Sequence, residues 1–193
     1  MKRVFIIHGW NGSPEGCWIT WLKRELEKRE FEVTAPKMPN PSEPRIETWV
    51  SFLSRIVGQP NAETYFVGHS MGCQTIARYL EVLPEGMKIG GAIFVGGFFK
   101  KLTGLENSEE EVRKHWLETP LDLKKVKSHL PKSIAIFSDD DPFVPLENQD
   151  NFHNQLGSEI IIEHQKGHFD DEAGITELPV VLEKILEMAE AGP

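Results

Sequence analysis

A serine hydroxyl becomes a useful nucleophile only when a base removes its proton. A chain that does serine chemistry must therefore bring together a hydroxyl, an imidazole and a carboxylate that orients the imidazole. Three stretches of this sequence carry those groups. Ser70 lies in Gly68-His69-Ser70-Met71-Gly72, directly after the apolar run 64–67. Asp139, Asp140 and Asp141 follow the run 133–137, and His168 lies in Lys166-Gly167-His168-Phe169 after the run 159–162. Serine, acid and histidine, in that order and each just beyond a strand, form the arrangement expected when a strand–turn–helix elbow presents the nucleophile. Such a set suits acyl transfer.

The surroundings of Ser70 fit that geometry. Cys73, Ile76, Ala77 and Leu80 recur at helical spacing after it, so a strand, a sharp turn and a helix follow one another. The elbow is too tight for side chains two residues to either side, which explains glycine at 68 and 72. The first N–H groups of the helix point back at the serine, making Met71 N–H one expected oxyanion donor. The second is expected from His8-Gly9-Trp10-Asn11-Gly12 after the first strand, with Trp10 supplying the N–H. His8 reads as hydrogen-bonded within that loop. Among seven histidines, His115, His129, His153 and His164 read as surface residues. His168, just beyond the last strand, is the candidate base, with Gly167 freeing the backbone to swing the ring inward and Phe169 anchoring the loop. The residues alone leave the acid open among Asp139, Asp140 and Asp141, and Asp141 is carried forward. A solvated loop or a weak cation site is the rival reading of the three aspartates. Magnesium sites usually recruit phosphates as well, and nothing in the sequence cradles one.

The elements that must position these groups are legible as a rhythm. Runs 4–7, 31–35, 64–67, 89–95, 133–137 and 159–162 read as six strands. Helical stripes alternate with them: Trp18, Trp21, Leu22 and Leu26; Ile46, Val50, Leu53 and Val57; Leu178, Val181, Leu182, Ile185 and Leu186. Strands that are apolar throughout, separated by helices, imply a parallel sheet covered on both faces. Right-handed crossovers then specify a doubly wound, mainly parallel six-stranded α/β fold, one domain over 1–193. The segment 98–132 is charged and helix-prone. It reads either as a small helical cap over the site or as a crossover helix with a long lead-in. Trp10, Phe98, Phe99 and Phe143 are candidate substrate-binding residues, and Trp18, Met71 and Trp116 are further candidates for the same apolar pocket.

Composition narrows the function classes. At 193 residues and 39% hydrophobic content the chain suits one domain with a full core. A net charge of −9 argues against a nucleic-acid surface. No apolar run is long enough for a signal-peptide core or a membrane span, so a cytoplasmic protein without a membrane partner is expected. The only two cysteines, Cys17 and Cys73, have no metal-ligand spacing. Cys73 falls on the inner face of the elbow helix and reads as a small buried hydrophobe. The acidic run 106–111 reads as a solvated helix start. No metal or cofactor is expected, and the expected partner is a small-molecule acyl substrate.

Taken together, V-F-I-I-H-G-W-N-G, F-V-G-H-S-M-G, D-D-D-P-F-V-P and K-G-H-F resemble the α/β-hydrolase superfamily. Within it, the chain is similar to the small single-domain serine hydrolases of the retinoblastoma-binding protein 9 family. The resemblance spans nearly the whole chain. It implies Ser70 as nucleophile, Asp141 as acid and His168 as base, on a minimal fold lacking the first two strands of larger hydrolases. The Leu-x-Cys-x-Glu motif that the family name suggests is absent around Cys17 and Cys73, so no retinoblastoma-type partner is implied. The leading expectation is hydrolysis of small carboxylic esters, with amides and thioesters open. The alternative is a protein-interaction module on a hydrolase scaffold, with 106–113 as its recognition surface. Perhydrolysis or carbon–carbon bond hydrolysis would keep the fold and change the reaction. Serine at position 70 speaks against dehalogenase and epoxide-hydrolase chemistry.

Overall fold

The computed structural model describes residues 1–16, 18–106 and 109–191. Six parallel strands form one sheet in the order β2-β1-β3-β4-β5-β6. They are β1 (Arg3–Ile7), β2 (Glu32–Thr34), β3 (Thr64–His69), β4 (Gly91–Val95), β5 (Ser133–Ser138) and β6 (Glu159–Glu163). The helices are α1 (Ile19–Glu27), α2 (Ile46–Val57), α3 (Met71–Glu81), α4 (Glu110–Glu118), α5 (Leu123–His129), the short α6 (Gln149–Asn151) and α7 (Pro179–Glu190). A 3-10 turn at Leu146–Asn148 leads into α6, and a π turn at Phe152–Leu156 leaves it.

The two-residue period of the strands divides the core. Val4 and Ile6 of β1, Tyr65 and Val67 of β3, Ile93 and Val95 of β4, and Ile134 and Ile136 of β5 pack on one face with α1 and α7. Their alternates Phe5, Ile7, Phe66, Ala92, Phe94, Ala135 and Phe137 pack on the other with α2, α3, α4 and α5. Both faces are therefore apolar, which is why the strands read as continuous hydrophobic runs instead of alternating ones. The second strand is shorter than its run, because at the sheet edge only Glu32–Thr34 finds register against Arg3, Val4 and Phe5.

The segment 98–132 divides its roles. Trp116 of α4 is fully buried, stands edge-on to Trp49 with ring centroids 5.8 Å apart, and donates its indole N–H to Pro44 O at 3.0 Å. Arg78 of α3 donates to the carbonyls of Trp116, Thr119 and Pro120, fixing the α4–α5 corner on the helix that follows the serine. Trp116 is thus core. In the earlier part, Phe98, Leu102, Leu105 and Glu109 border the cleft described below.

The chain turns back between β1 and β3, whose connections leave in opposite directions along the sheet. The crevice between the carboxyl ends of two such strands is where open α/β sheets bind ligands, and Ser70 begins α3 at that point. The approach is close. A Cβ on Gly72 would sit 2.1 Å from Ile7 O, and one on Gly68 would sit 2.8 Å from Cys73 N. Both obstacles are backbone, so neither can move aside cheaply. The Gly72→Ala variant is accordingly expected to lose about 3 kcal/mol of stability through overpacking, measured as a lowered urea midpoint at unchanged m-value. A loss under half that size would mean that α3 can lift off the sheet.

Candidate active site

Ser70 closes β3 and caps α3 with φ +51° and ψ −117°, a conformation that L side chains rarely adopt. Such backbone strain costs on the order of 1–3 kcal/mol and persists only where neighbours over-determine it. Here Ser70 N–H donates to Val95 O at 2.8 Å, and Ser70 O accepts from Cys73 N–H at 3.0 Å. The turn lifts the hydroxyl onto the floor of a cleft.

The three aspartates at the end of β5 hold the loop after β6 station by station. Asp139 accepts from Gln165 N–H at 2.9 Å and from His164 Nδ1 at 2.6 Å. Asp140 accepts from Gly167 N–H at 2.8 Å and from the Ser138 hydroxyl at 2.7 Å, while Ser138 Oγ accepts from Lys166 N–H at 3.0 Å. Asp141 Oδ2 accepts from His168 Nδ1 at 2.8 Å. Asp141 Oδ1 accepts from Phe143 N–H at 2.8 Å and Val144 N–H at 2.9 Å. The aspartate left open in sequence is thus distinguished by geometry: of the three, Asp141 meets His168. Its carboxyl is only 2% exposed and the imidazole 11%, so their attraction acts in a poorly solvated site. Donation from Nδ1 leaves the Nε2 lone pair of His168 as the basic position. Bonds to His164 hold the Asp139 carboxyl below its usual range and lift the His164 imidazole above its own. The Ser138 hydroxyl and then Gly167 N–H lower that of Asp140. Among the described residues no group of three or more His, Cys, Asp or Glu side chains is arranged to hold a metal ion.

Ser70 and His168 line one cleft with two arms. The first, of about 300 Å³, is walled by Trp10, Met71, Phe98, Leu102, Leu105 and Phe143, with Glu109, Asp170 and Glu172 among its polar residues. The second, of about 350 Å³, runs along the loop after β1 and is bounded by Asp170, Asp171 and Glu172. Neither arm is lined by lysine or arginine among the described residues. Three of the four expected substrate-binding residues, Trp10, Phe98 and Phe143, face the first arm. Phe99 does not: its ring stacks on Phe152 with centroids 4.5 Å apart and borders a separate cavity with Gln74 and Arg78. Met71 begins α3, so its N–H lacks a carbonyl one turn earlier. In the loop after β1, Asn11 N–H binds Pro41 O and Gly12 N–H binds Gly9 O, while Trp10 borders both arms.

Sequence reasoning missed Leu102, Leu105 and Glu109 as cleft residues; Glu109 belongs to the acidic run read as solvated. Asn107 and Ser108 of that run, and Cys17, lie outside the described residues. Two histidines also differ from expectation. His129 is buried with Nδ1 on Met87 O at 2.8 Å, and His115 is half-buried, its Nε2 accepting from Ile46 N–H at 3.3 Å. Both cap chain segments that must turn against the core. His8 is as expected in its loop, with Nδ1 on Gly9 O, and its Nε2 also accepts from Met38 N–H. Burial lowers its pKa, consistent with a neutral ring donating at one nitrogen and accepting at the other. Cys73 is fully buried, and desolvation pushes its thiol far up. The largest omission is His69, whose Nε2 lies 2.7 Å from His168 O.

A family model described as serine hydrolase matches residues 4–187. The chain belongs to the serine hydrolase family. Among relatives, the hydrolase YdeN of Bacillus subtilis is 34% identical over 180 residues, 93% of this chain and 92% of that one. The serine hydrolase RBBP9 of Rattus norvegicus is 27% identical over 172 residues, covering 88% of each. The crystal structure of the B. subtilis ydeN gene product superposes on this serine hydrolase with a TM-score of 0.87, over 97% of this chain and 98% of that one. The esterase RhEst1 from Rhodococcus, at 13% identity and a TM-score of 0.73, shares the fold. The protein is therefore a hydrolase with an α/β fold. No helix among its described residues is long and apolar enough to cross a membrane.

His69 gives this hydrolase a pH dependence of stability. Desolvation, and then the nearby His168, depress its imidazole pKa from 6.5 to about 4. The native state therefore binds the proton more weakly than the unfolded chain. The stability this confers is complete above pH 6.5 and is lost as pH falls toward 4, amounting to roughly 3 kcal/mol at 1.36 kcal/mol per unit. Denaturant titrations at pH 7 and pH 4.5 are expected to show that decline on top of the carboxylate background, and His69→Gln should remove it. An unchanged pH slope in the variant would contradict the assignment.

Proposed function

We propose that this hydrolase cleaves small carboxylic esters through an acyl-enzyme on Ser70, with His168 as base and Asp141 as the residue that orients it. The observation that carries the reading is the largely shielded Asp141–His168 hydrogen bond beside a serine held at a strained elbow in the same cleft. His168 Nε2 takes the serine proton as Oγ attacks the carbonyl carbon. Asp141 fixes the tautomer and stabilises the imidazolium that forms. The N–H groups of Met71 and Trp10 receive the oxyanion. The imidazolium then protonates the leaving alkoxide, and water attacks the acyl-serine with His168 again as base, releasing the acid and restoring the serine.

An alkoxide leaves more readily than an amide nitrogen, and the first arm is mainly apolar, which favours esters with hydrophobic acyl groups. The acidic side chains at both arms, without a lysine or arginine among the described residues of the lining, disfavour carboxylate-bearing substrates. The interaction-module alternative has less behind it. Of the acidic stretch it needs, Glu109 lines the cleft and Glu110 pairs with Arg113 and Lys114.

Turnover of p-nitrophenyl esters tests the assignment. Ser70→Ala is expected to reduce kcat about 10⁶-fold, as loss of a triad nucleophile does elsewhere, and Asp141→Asn about 10⁴-fold through the wrong imidazole tautomer. Asp139→Asn, which loosens only the far end of the loop, should cost under about tenfold. Equal losses at 139 and 141 would assign the acid wrongly. Paired esters of equal size, one neutral and one bearing a carboxylate, are expected to differ by about tenfold or more in kcat/KM, the gap narrowing as salt is added. A preference for the anionic ester would contradict the electrostatic reading of the cleft.

A further inference from the structure

We propose that His69 is a positioning residue that links the nucleophile turn to the base, holding His168 by its backbone carbonyl, and that Trp18 is its companion on the next carbonyl. This rests on the reading of Ser70 as nucleophile and His168 as base. His69 Nε2 lies 2.7 Å from His168 O. A carbonyl oxygen only accepts, so that nitrogen carries the hydrogen. Trp18 Nε1–H donates to Phe169 O at 3.0 Å. Both donors are buried, and they support one another: the His69 ring stands edge-on to Trp18 at 6.0 Å between centroids and lies 5.0 Å from the His168 ring.

The loop they hold needs such donors. Gly167 and Phe169 both have positive φ, at +50° and +56°, so the backbone around His168 runs in a conformation that neither helix nor strand pairing can satisfy. Carbonyls buried in such a stretch must find donors elsewhere. The aspartates at the end of β5 grip the outer side of this loop through its N–H groups and the His168 ring, while His69 and Trp18 grip its inner side through two successive carbonyls. His69 is also the residue before Ser70, so one side chain references the base directly to the backbone that carries the nucleophile. Catalysis by positioned groups is sensitive to displacements of about 1 Å, which cost on the order of a hundredfold. The charged and titratable groups facing His69 are His168, Asp141 and Asp170. Its buried ring is held neutral at working pH, so the donor is the tautomer with its hydrogen on Nε2.

The test compares full-length His69→Phe, His69→Gln and Trp18→Phe with the wild type in ester turnover and in the rate at which a fluorophosphonate labels Ser70. Phenylalanine keeps a ring without a donor, whereas the glutamine amide can place an N–H near the lost Nε2. For His69→Phe, kcat and labelling rate are expected to fall about tenfold or more with KM within about twofold. His69→Gln should recover most of that loss. A folded His69→Phe protein with wild-type kcat, or a folded His69→Gln protein as impaired as it, would overturn the proposal. Should His69→Phe fail to fold, Trp18→Phe decides: a fall in kcat at constant KM supports the clamp, and unchanged kcat overturns it. A wild-type Ser70 that resists the probe would instead overturn the nucleophile assignment on which the clamp rests, a result distinct from all of these.

Discussion

The candidate site depends on a ladder of hydrogen bonds between the end of β5 and the loop after β6. Ser138 is paired in register with Glu163, and the backbone bonds between the two strands end with Asp139 N–H donating to Glu163 O at 3.2 Å. Beyond that point side-chain carboxylates continue the pairing. Asp139, Asp140 and Asp141 take Gln165, Gly167 and His168 in turn, with Ser138 Oγ taking Lys166. Two adjacent strands thus splay into loops that remain attached to one another, and the imidazole travels with them to the switch point of the sheet. Without the ladder, a loop in which Gln165, Gly167 and Phe169 all have positive φ would have many conformations to choose from, and its ordering entropy would oppose a fixed imidazole.

The second constraint is the crowding at the elbow. The backbone of β1 passes so close to α3 that glycine is required where they touch, and Ser70 is held strained by its bond to Val95 O. Rigidity on this side matches rigidity on the other, where Asp141 is saturated by two backbone N–H groups and the imidazole. The walls of the cleft are less uniform. Apolar residues from the loop after β4 share the first arm with Trp10, while acidic residues collect after His168.

Much of this was legible in the sequence because it follows from local rules. G-x-S-x-G between a strand and a helix has one well-determined geometry, and continuous apolar runs separated by amphipathic ones specify a covered parallel sheet, which the six strands form. The side chains that misled depend on directions that sequence periodicity does not fix. Phe98 and Phe99 follow β4 in irregular chain, where alternation ends, so which of them reaches the cleft is decided by Phe152 packing on Phe99. The aspartates differ only in register, and a one-residue shift would have exchanged their partners. His69 was overlooked because the pattern treats its position as arbitrary, and its partner is a backbone carbonyl 99 residues away. His129 sits among lysines in α5 yet is buried, because the helix end turns inward onto Met87. In each case tertiary contact overrode local character.

The most direct test of the account is to find the covalent intermediate. The enzyme would be mixed with p-nitrophenyl acetate, quenched in acid during the burst and digested, and the acetyl group located by peptide mass spectrometry. The account predicts acetyl on Ser70 in stoichiometric yield in the wild type, and its loss in His168→Ala. A burst with acetyl on another residue, or acetylation of Ser70 that proceeds as fast without the imidazole, would contradict it.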